Sequence, residues 1–288
     1  MKSGFYKIAN LCGHYLRQII YFVWKLKTLK VEKPNLEEKI DVIIPVIEKD
    51  LDILPLCISG VRENVTNRIK DIFVVGPAAV SICDFAKKNG LIFIEESAIL
   101  GYTPISLNLI TKGGINRSGW LFQQLLKLSG KIGTCKYFLV IDSDHILLKP
   151  HTFLTSNLKT VFYQSSEFHF QYYKMNKKLV RVFKIPLLSF VSHKMLFEKD
   201  ELFRLTALIE QNDELMRTWD KVIFGTLDKE EASPFSEFEF YGCFSRNENK
   251  ILHPWNQKAL TRTHLDELSN LKTKYHRFWS VTFPSYLQ

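Results

Sequence analysis

Five consecutive apolar or aromatic residues, Tyr137-Phe138-Leu139-Val140-Ile141, run straight into Asp142-Ser143-Asp144-His145. A run this short with no polar position has no solvent-facing side, so it predicts a strand buried on both faces, as at the centre of a parallel sheet. Two carboxylates separated by one residue mark its end. If the chain turns there, both can point toward one ligand, and paired carboxylates favour Mg2+ or Mn2+, which keep positions open for phosphate and water. A bare Asp-X-Asp also occurs as a solvated turn. The buried run before it, and Ile146-Leu147-Leu148 ahead of Lys149-Pro150 after it, favour the cation.

The residues upstream supply neighbours for such a strand. Ile40 to Val46 and Asp71 to Val75 read as further buried strands, and Leu91 to Ile94 as a short third one. Leu51 to Arg62 and Val80 to Lys88 read as the helices between them, so a mostly parallel sheet flanked by helices on a doubly wound, Rossmann-like plan is expected. Ligands bind such sheets beyond the carboxyl ends of the strands, which places Pro45 to Asp50 and Gly76-Pro77 on the functional face. The glycine-containing stretch Lys112 to Gly119 predicts a loop, and Trp120 to Leu128 a helix with Leu121, Leu125 and Leu128 at helical spacing. Gln123, Gln124 and Lys127 lie one turn apart on it, and their place just before the Asp-X-Asp strand makes them donor-contact candidates, Lys127 as a point charge for phosphate.

Charge is uneven along the chain. Of a net +9, residues 1–30 carry Lys2, Lys7, Arg17, Lys25, Lys27 and Lys30 with no Asp or Glu, which argues against nucleic acid as a partner of the remaining residues. The apolar run Ile19 to Trp24 is too short to span a bilayer. Two readings of this segment stand open, a basic aromatic helix on an anionic membrane surface and a helix docked on the body of the protein. Val31 to Asn35 reads as a linker, giving residues 1–35 as an amphipathic segment and 36–288 as the catalytic domain, its donor half at about 36–150 and its acceptor half at about 151–288. Cys12, Cys57, Cys83, Cys135 and Cys243 show no CxxC spacing, against a zinc site or disulfide framework, and a cytoplasmic location follows, peripheral on the inner membrane face if the helix binds lipid.

At this point a resemblance emerges. Tyr137 to His145 looks like the Asp-X-Asp strand of GT-A glycosyltransferases, and Gly119-Trp120 through Leu128 is similar to the preceding segment in a bacterial group of GT-A-like proteins. That group is an uncharacterised-domain family often found with surface-polysaccharide genes, and the likeness covers about residues 40 to 255. It implies a cation on Asp142 and Asp144 and a nucleotide pocket at Pro45, Val46 and Glu48, with Ser143 assigned to the donor side. The expected activity is transfer of a sugar from a nucleotide diphosphate to a glycan or lipid-linked glycan. Ser189 to His193 and Ser236 to Gly242 resemble segments bordering the acceptor in the same group.

On a strand, Glu237 and Glu239 would share one face, with Phe238 and Phe240 on the other, making Glu237 first choice and Glu239 second for the base of an inverting transfer. His145 would shape the turn. Many GT-A enzymes draw a late histidine onto the metal, which makes His253 the candidate here, ahead of His264 and His276. Two alternatives remain, a non-catalytic nucleotide- or glycan-binding protein and a nucleotidyltransferase. The second expects a glycine-rich phosphate loop where this chain has Val46-Ile47-Glu48-Lys49-Asp50.

Overall fold

Alternation along the strands, with both sides covered, organises the molecule. In the computed structural model, which describes residues 2–25, 31–111, 113–246, 248, 250–255, 257–262 and 270–284, the chain opens with helix α1 (Lys2–Lys25). There follow β1 (Lys39–Pro45), a 3-10 turn at Glu48–Asp50, α2 (Leu54–Asn64), β2 (Arg68–Gly76), α3 (Val80–Lys88) and β3 (Ile92–Glu95). Two short helices, α4 (Glu96–Leu100) and α5 (Pro104–Leu107), precede α6 (Ser118–Leu128), β4 (Tyr137–Ile141), β5 (His145–Leu147) and β6 (Thr160–Gln164). Next come α7 (Phe170–Val180), β7 (Lys194–Glu198), α8 (Lys199–Gln211), α9 (Trp219–Thr226) and α10 (Glu237–Phe244). The described chain ends through β8 (Lys250–Pro254), β9 (Gln257–Ala259), α11 (Leu271–Lys274) and β10 (Ser280–Thr282).

The principal sheet has the order β3-β2-β1-β4-β7. β1, β2, β3 and β4 run parallel, and β7 is antiparallel to β4. All five residues of β4 are buried, as the uninterrupted apolar run requires. Successive side chains go to opposite faces. Tyr137, Leu139 and Ile141 pack with residues of α2 and α3, including Leu54, Val61 and Ile82. Phe138 and Val140 pack with residues of α6, α8 and α10, including Leu125, Leu205 and Phe238. Each such burial contributes on the order of 1.5–3 kcal/mol relative to exposure. The same parity sends the next even-numbered side chain, Asp142, toward α6 and α10.

Beyond the sheet's carboxyl edge, β5 pairs antiparallel with β10, which pairs parallel with β9, and β6 pairs parallel with β8. α2 crosses close to β5 at Gly60, where a Cβ would come within 2.9 Å of the Leu147 backbone. Two expectations change. Leu51 to Ile53 turn before α2 begins at Leu54. The segment 236–242, read as an alternating strand, lies in helix α10 from Glu237 onward. Ser236 caps that helix by accepting from the Glu239 backbone N–H (3.3 Å), and the Ser-x-x-Glu spacing is the start signal that outweighs the apparent alternation.

Candidate metal centre

β4 fixes where Asp142 begins, and three backbone bonds fix the turn. Asp142 N–H donates to the His193 carbonyl (2.9 Å), His145 N–H to the Asp142 carbonyl (3.0 Å), and Phe283 N–H to the Asp144 carbonyl (3.0 Å). The β4–β7 ladder ends with Ile141 opposite Lys194, so Asp142 and His193 are the next facing pair. His193 sits there with φ +59°, a left-handed backbone that non-glycine residues rarely adopt and that often marks a functional site. Ligand atoms of Asp142, Asp144 and His193 all lie within 4.8 Å of one another, forming a three-residue set able to hold a metal ion.

One flank of this set is charge-compensated. Lys127, buried on α6, places its ammonium 2.8 Å from Asp142 Oδ1 and 2.8 Å from Glu237 Oε1. The other Asp142 oxygen meets His193 Nδ1 at 3.0 Å. Burial alone would raise the Asp142 carboxyl, but Lys127 and His193 outweigh it and hold it far below the usual carboxylate range. Burial works against the charged forms of Lys127 and His193 too, yet their carboxylate neighbours raise both.

The other flank is short of cations. Asp144 has burial, then the negative charges of Asp142 and Asp50, acting against the ionised form. His193 and Arg262 oppose them without prevailing, and the carboxyl is pushed up to about 6. Asp50 is itself engaged, accepting from Ser143 Oγ (3.0 Å) and ion-paired with Arg262, which also reaches Asp52 at 3.3 Å.

Beneath the turn, His145 is fully buried and stacks on His193 with ring centroids 5.7 Å apart. Its Nε2 lies 3.4 Å from the Lys194 amine, which in turn sits 3.5 Å above the Trp255 ring. Burial drives Lys194 well below the ordinary lysine range. This apolar-backed stack fixes the plane of the His193 ring from below.

Asp142 and Asp144 converge as the strand-end reading expects. Gln124 and Lys127 face α10: Gln124 Oε1 accepts from Glu237 N–H at 3.0 Å. Lys127 is thus a buried support of Asp142, and Gln123 is half-buried one position away. Glu237 and Glu239, placed on one strand face by the sequence, stand roughly 200° apart around a helix. Glu237 goes to Lys127. Glu239 accepts from Ser189 Oγ (2.6 Å) and Phe190 N–H (2.9 Å), pinning the segment that leads to His193. Pro45 and Val46 are buried at the end of β1, so of that trio only the exposed Glu48 offers a side chain outward, and it accepts from Ser81 Oγ at 2.6 Å.

His253 is not in the metal-ligand set. Its position on β8 packs its ring against Tyr163 (5.8 Å) and Trp279 (6.4 Å), and the histidine in the set able to hold an ion is His193. His276 is exposed on the turn after α11, and His264 and Lys112 lie outside the described residues. His193, Asp50 and Arg262 were not singled out from sequence. The local hints for His193 are its place at the end of the segment Ser189 to His193 and, one residue on past Lys194, the apolar run Met195-Leu196-Phe197 of a strand.

No curated protein matches the chain. Among solved structures, mouse xyloside xylosyltransferase 1 in its apo form is similar at 10% identity, covering 87% of this chain and 99% of that one with a TM-score of 0.46. Glucosyl-3-phosphoglycerate synthase from Mycobacterium tuberculosis, in complex with Mn2+, uridine diphosphate and glucosyl-3-phosphoglycerate, is similar at 16% identity and a TM-score of 0.33, covering 57% of each chain. This chain therefore spans a little over half the length of that synthase. The sequence model of the family of unknown function DUF6492 matches residues 37–281, and the chain belongs to that family.

Proposed function

We propose that this protein is a metal-dependent, GT-A-type glycosyltransferase that moves a sugar from a nucleotide-diphosphate donor to a glycan or lipid-linked glycan acceptor in surface polysaccharide synthesis. The observation that carries the reading is the Asp-X-Asp turn at the carboxyl end of β4, joined by His193 from the bend ahead of β7. Two carboxylates and one imidazole suit Mn2+ better than Mg2+, because the imidazole is a softer ligand than the oxygen set Mg2+ prefers. Lys127 holds one oxygen of Asp142 and His193 Nδ1 the other, so an ion would take that second oxygen, Asp144 and His193 in place of the Asp142–His193 hydrogen bond.

A bound divalent ion would offset the charge developing on the leaving diphosphate. The chain's own part is positional. Lys127 keeps Asp142 ionised and fixed, the Glu239 bonds to 189–190 hold the approach to His193, and the His145 stack sets the plane of its ring. Glu237 is buried under Lys127, which makes it a positioning residue in this reading rather than the base on the acceptor hydroxyl.

The test is a panel of nucleotide sugars with Mn2+, measuring donor hydrolysis and cation binding together. Hydrolysis of at least one donor is expected, lost in a chelator and lost in His193→Ala along with cation affinity. Full activity in the chelator would sink the proposal.

A further inference from the structure

Helix α1 has one face committed to the protein. Arg17 is 3% exposed and donates to the carbonyls of Glu167 (2.5 Å) and Pro186 (2.6 Å), with its guanidinium 4.6 Å from the Phe168 ring. At Gly13 a Cβ would approach Phe168 to 2.6 Å, so the helix lies against the body there. Of the two open readings of this segment, docking therefore holds for the inner face.

The opposite face has no such cover. Leu11, Tyr15, Ile19 and Phe22, one turn apart, are 56–66% exposed. An apolar stripe of this length left in water is a loss that soluble proteins ordinarily avoid. The loop at 182–187 adds a second exposed apolar cluster, with Val182 at 53%, Phe183 at 49% and Leu187 at 60%. The Arg17–Pro186 hydrogen bond ties the inner face of the helix to this loop, so the two clusters lie on neighbouring elements.

Charge identifies what would cover them. Apart from the inward-facing Arg17, residues 1–30 contain five Lys and no Asp or Glu, and apart from the buried Lys194, residues 168–197 contain five Lys or Arg and no acid. Among the latter, Lys177, Lys178 and Arg181 are exposed where α7 runs into the loop. A second copy of the chain would bring two such basic faces together. An anionic lipid surface accepts both the apolar stripe and the flanking cations. Among the described residues no helix is long and apolar enough to cross a membrane.

We propose that the outer face of α1 and the 182–187 loop form one surface that docks on anionic lipid bilayers. Neither element contains a residue of the metal centre, so docking stands apart from the glycosyl-transfer reading and is measured without turnover.

The full chain is mixed with phosphatidylcholine vesicles, with and without about a third phosphatidylserine, and separated by flotation. Partition onto the anionic vesicles is expected, reduced by added salt through screening. The double variants Ile19→Glu/Phe22→Glu and Phe183→Glu/Leu187→Glu should each lower partition by about tenfold or more. Thermal melts report folding, and the loop variant keeps the test decisive if the helix variant unfolds. Unchanged partition of a folded loop variant overturns the two-part surface, and equal binding to neutral vesicles overturns the anionic requirement. A concentration-dependent dimer that Ile19→Glu/Phe22→Glu dissolves, with no vesicle binding, would make a second copy the occupant.

Discussion

The two flanks of the Asp-X-Asp turn are built on opposite principles. On the Lys127 side every charge is answered: an ammonium lies between two carboxylates, and an imidazole closes the remaining oxygen of Asp142. On the Asp50 side, two carboxylates crowd Asp144 while Arg262 is spent on Asp50 and Asp52. One motif thus holds an aspartate that stabilises the fold and an aspartate that strains it. A half-buried carboxylate without a full partner is the arrangement expected where a cation belongs.

The largest expected effect is on turnover. Asp144→Asn should abolish Mn2+-stimulated donor hydrolysis, a loss of about 1,000-fold or more, because the ion loses a charged ligand. Near-normal activity in this variant, alongside a folded protein, would leave the uncompensated flank without a purpose.

Stability of the metal-free protein should separate the two residues by sign. Asp142→Asn removes one of the two carboxylate partners of a buried ammonium and should cost about 1.5–3 kcal/mol. Asp144→Asn should stabilise. The Asp144 carboxyl sits at about 6 in the folded protein against an ordinary 3.8, so the folded state holds its proton more tightly and loses stability as pH rises between those values. Above that window the asparagine variant should be more stable than wild type by about 2–3 kcal/mol, and below it the gain should vanish. Denaturant titrations at two pH values measure both differences, and a stabilised Asp142→Asn would invert the comparison.

Glu237→Gln is a milder perturbation of the compensated flank. It retains a hydrogen-bond acceptor for Lys127 but lowers the charge, so the melting temperature should fall by several degrees while hydrolysis changes by less than about tenfold. A loss of glycosyl transfer of about 100-fold at unchanged donor affinity would restore Glu237 as the acceptor base. The smallest effect belongs to Arg262→Ala. Removing a cation that counters the charge on Asp144 should move its titration further upward, and loss of the Asp50 and Asp52 pairs should lower stability by about 1–2 kcal/mol. The titration is followed by carboxyl NMR shifts, and a downward movement would contradict this account of the flank.

The compensated flank was half legible in the sequence and the other flank hardly at all. The apolar run at 137–141 predicts its own burial, and the parity of a strand then carries Asp142 toward α6, where Lys127 had been noticed for its position. These are short-range inferences from period and sequence order. Glu237 stands out in the sequence for the wrong geometry: alternating Glu and Phe mimics a strand over so few residues, whereas the Ser236 cap makes the segment a helix. His193 and Arg262 depend on pairings across 51 and 212 residues, respectively, for which one sequence carries no periodic signal. His253 was favoured for coming late in the chain, but chain order does not determine which strand lies beside β4.

That His193 stands just ahead of β7 also has a kinetic consequence. Its ligand atom reaches Asp142 only when β4 and β7, separated by residues 142–193 with β5, β6 and α7, have come together, a non-local pairing expected to follow the local contacts. A site completed after the rate-limiting barrier cannot guide the chain over it. Manganese should therefore slow unfolding in proportion to its binding and leave the refolding rate nearly untouched, so that the ion acts as a latch on a finished molecule and contributes nothing as a template for an unfinished one.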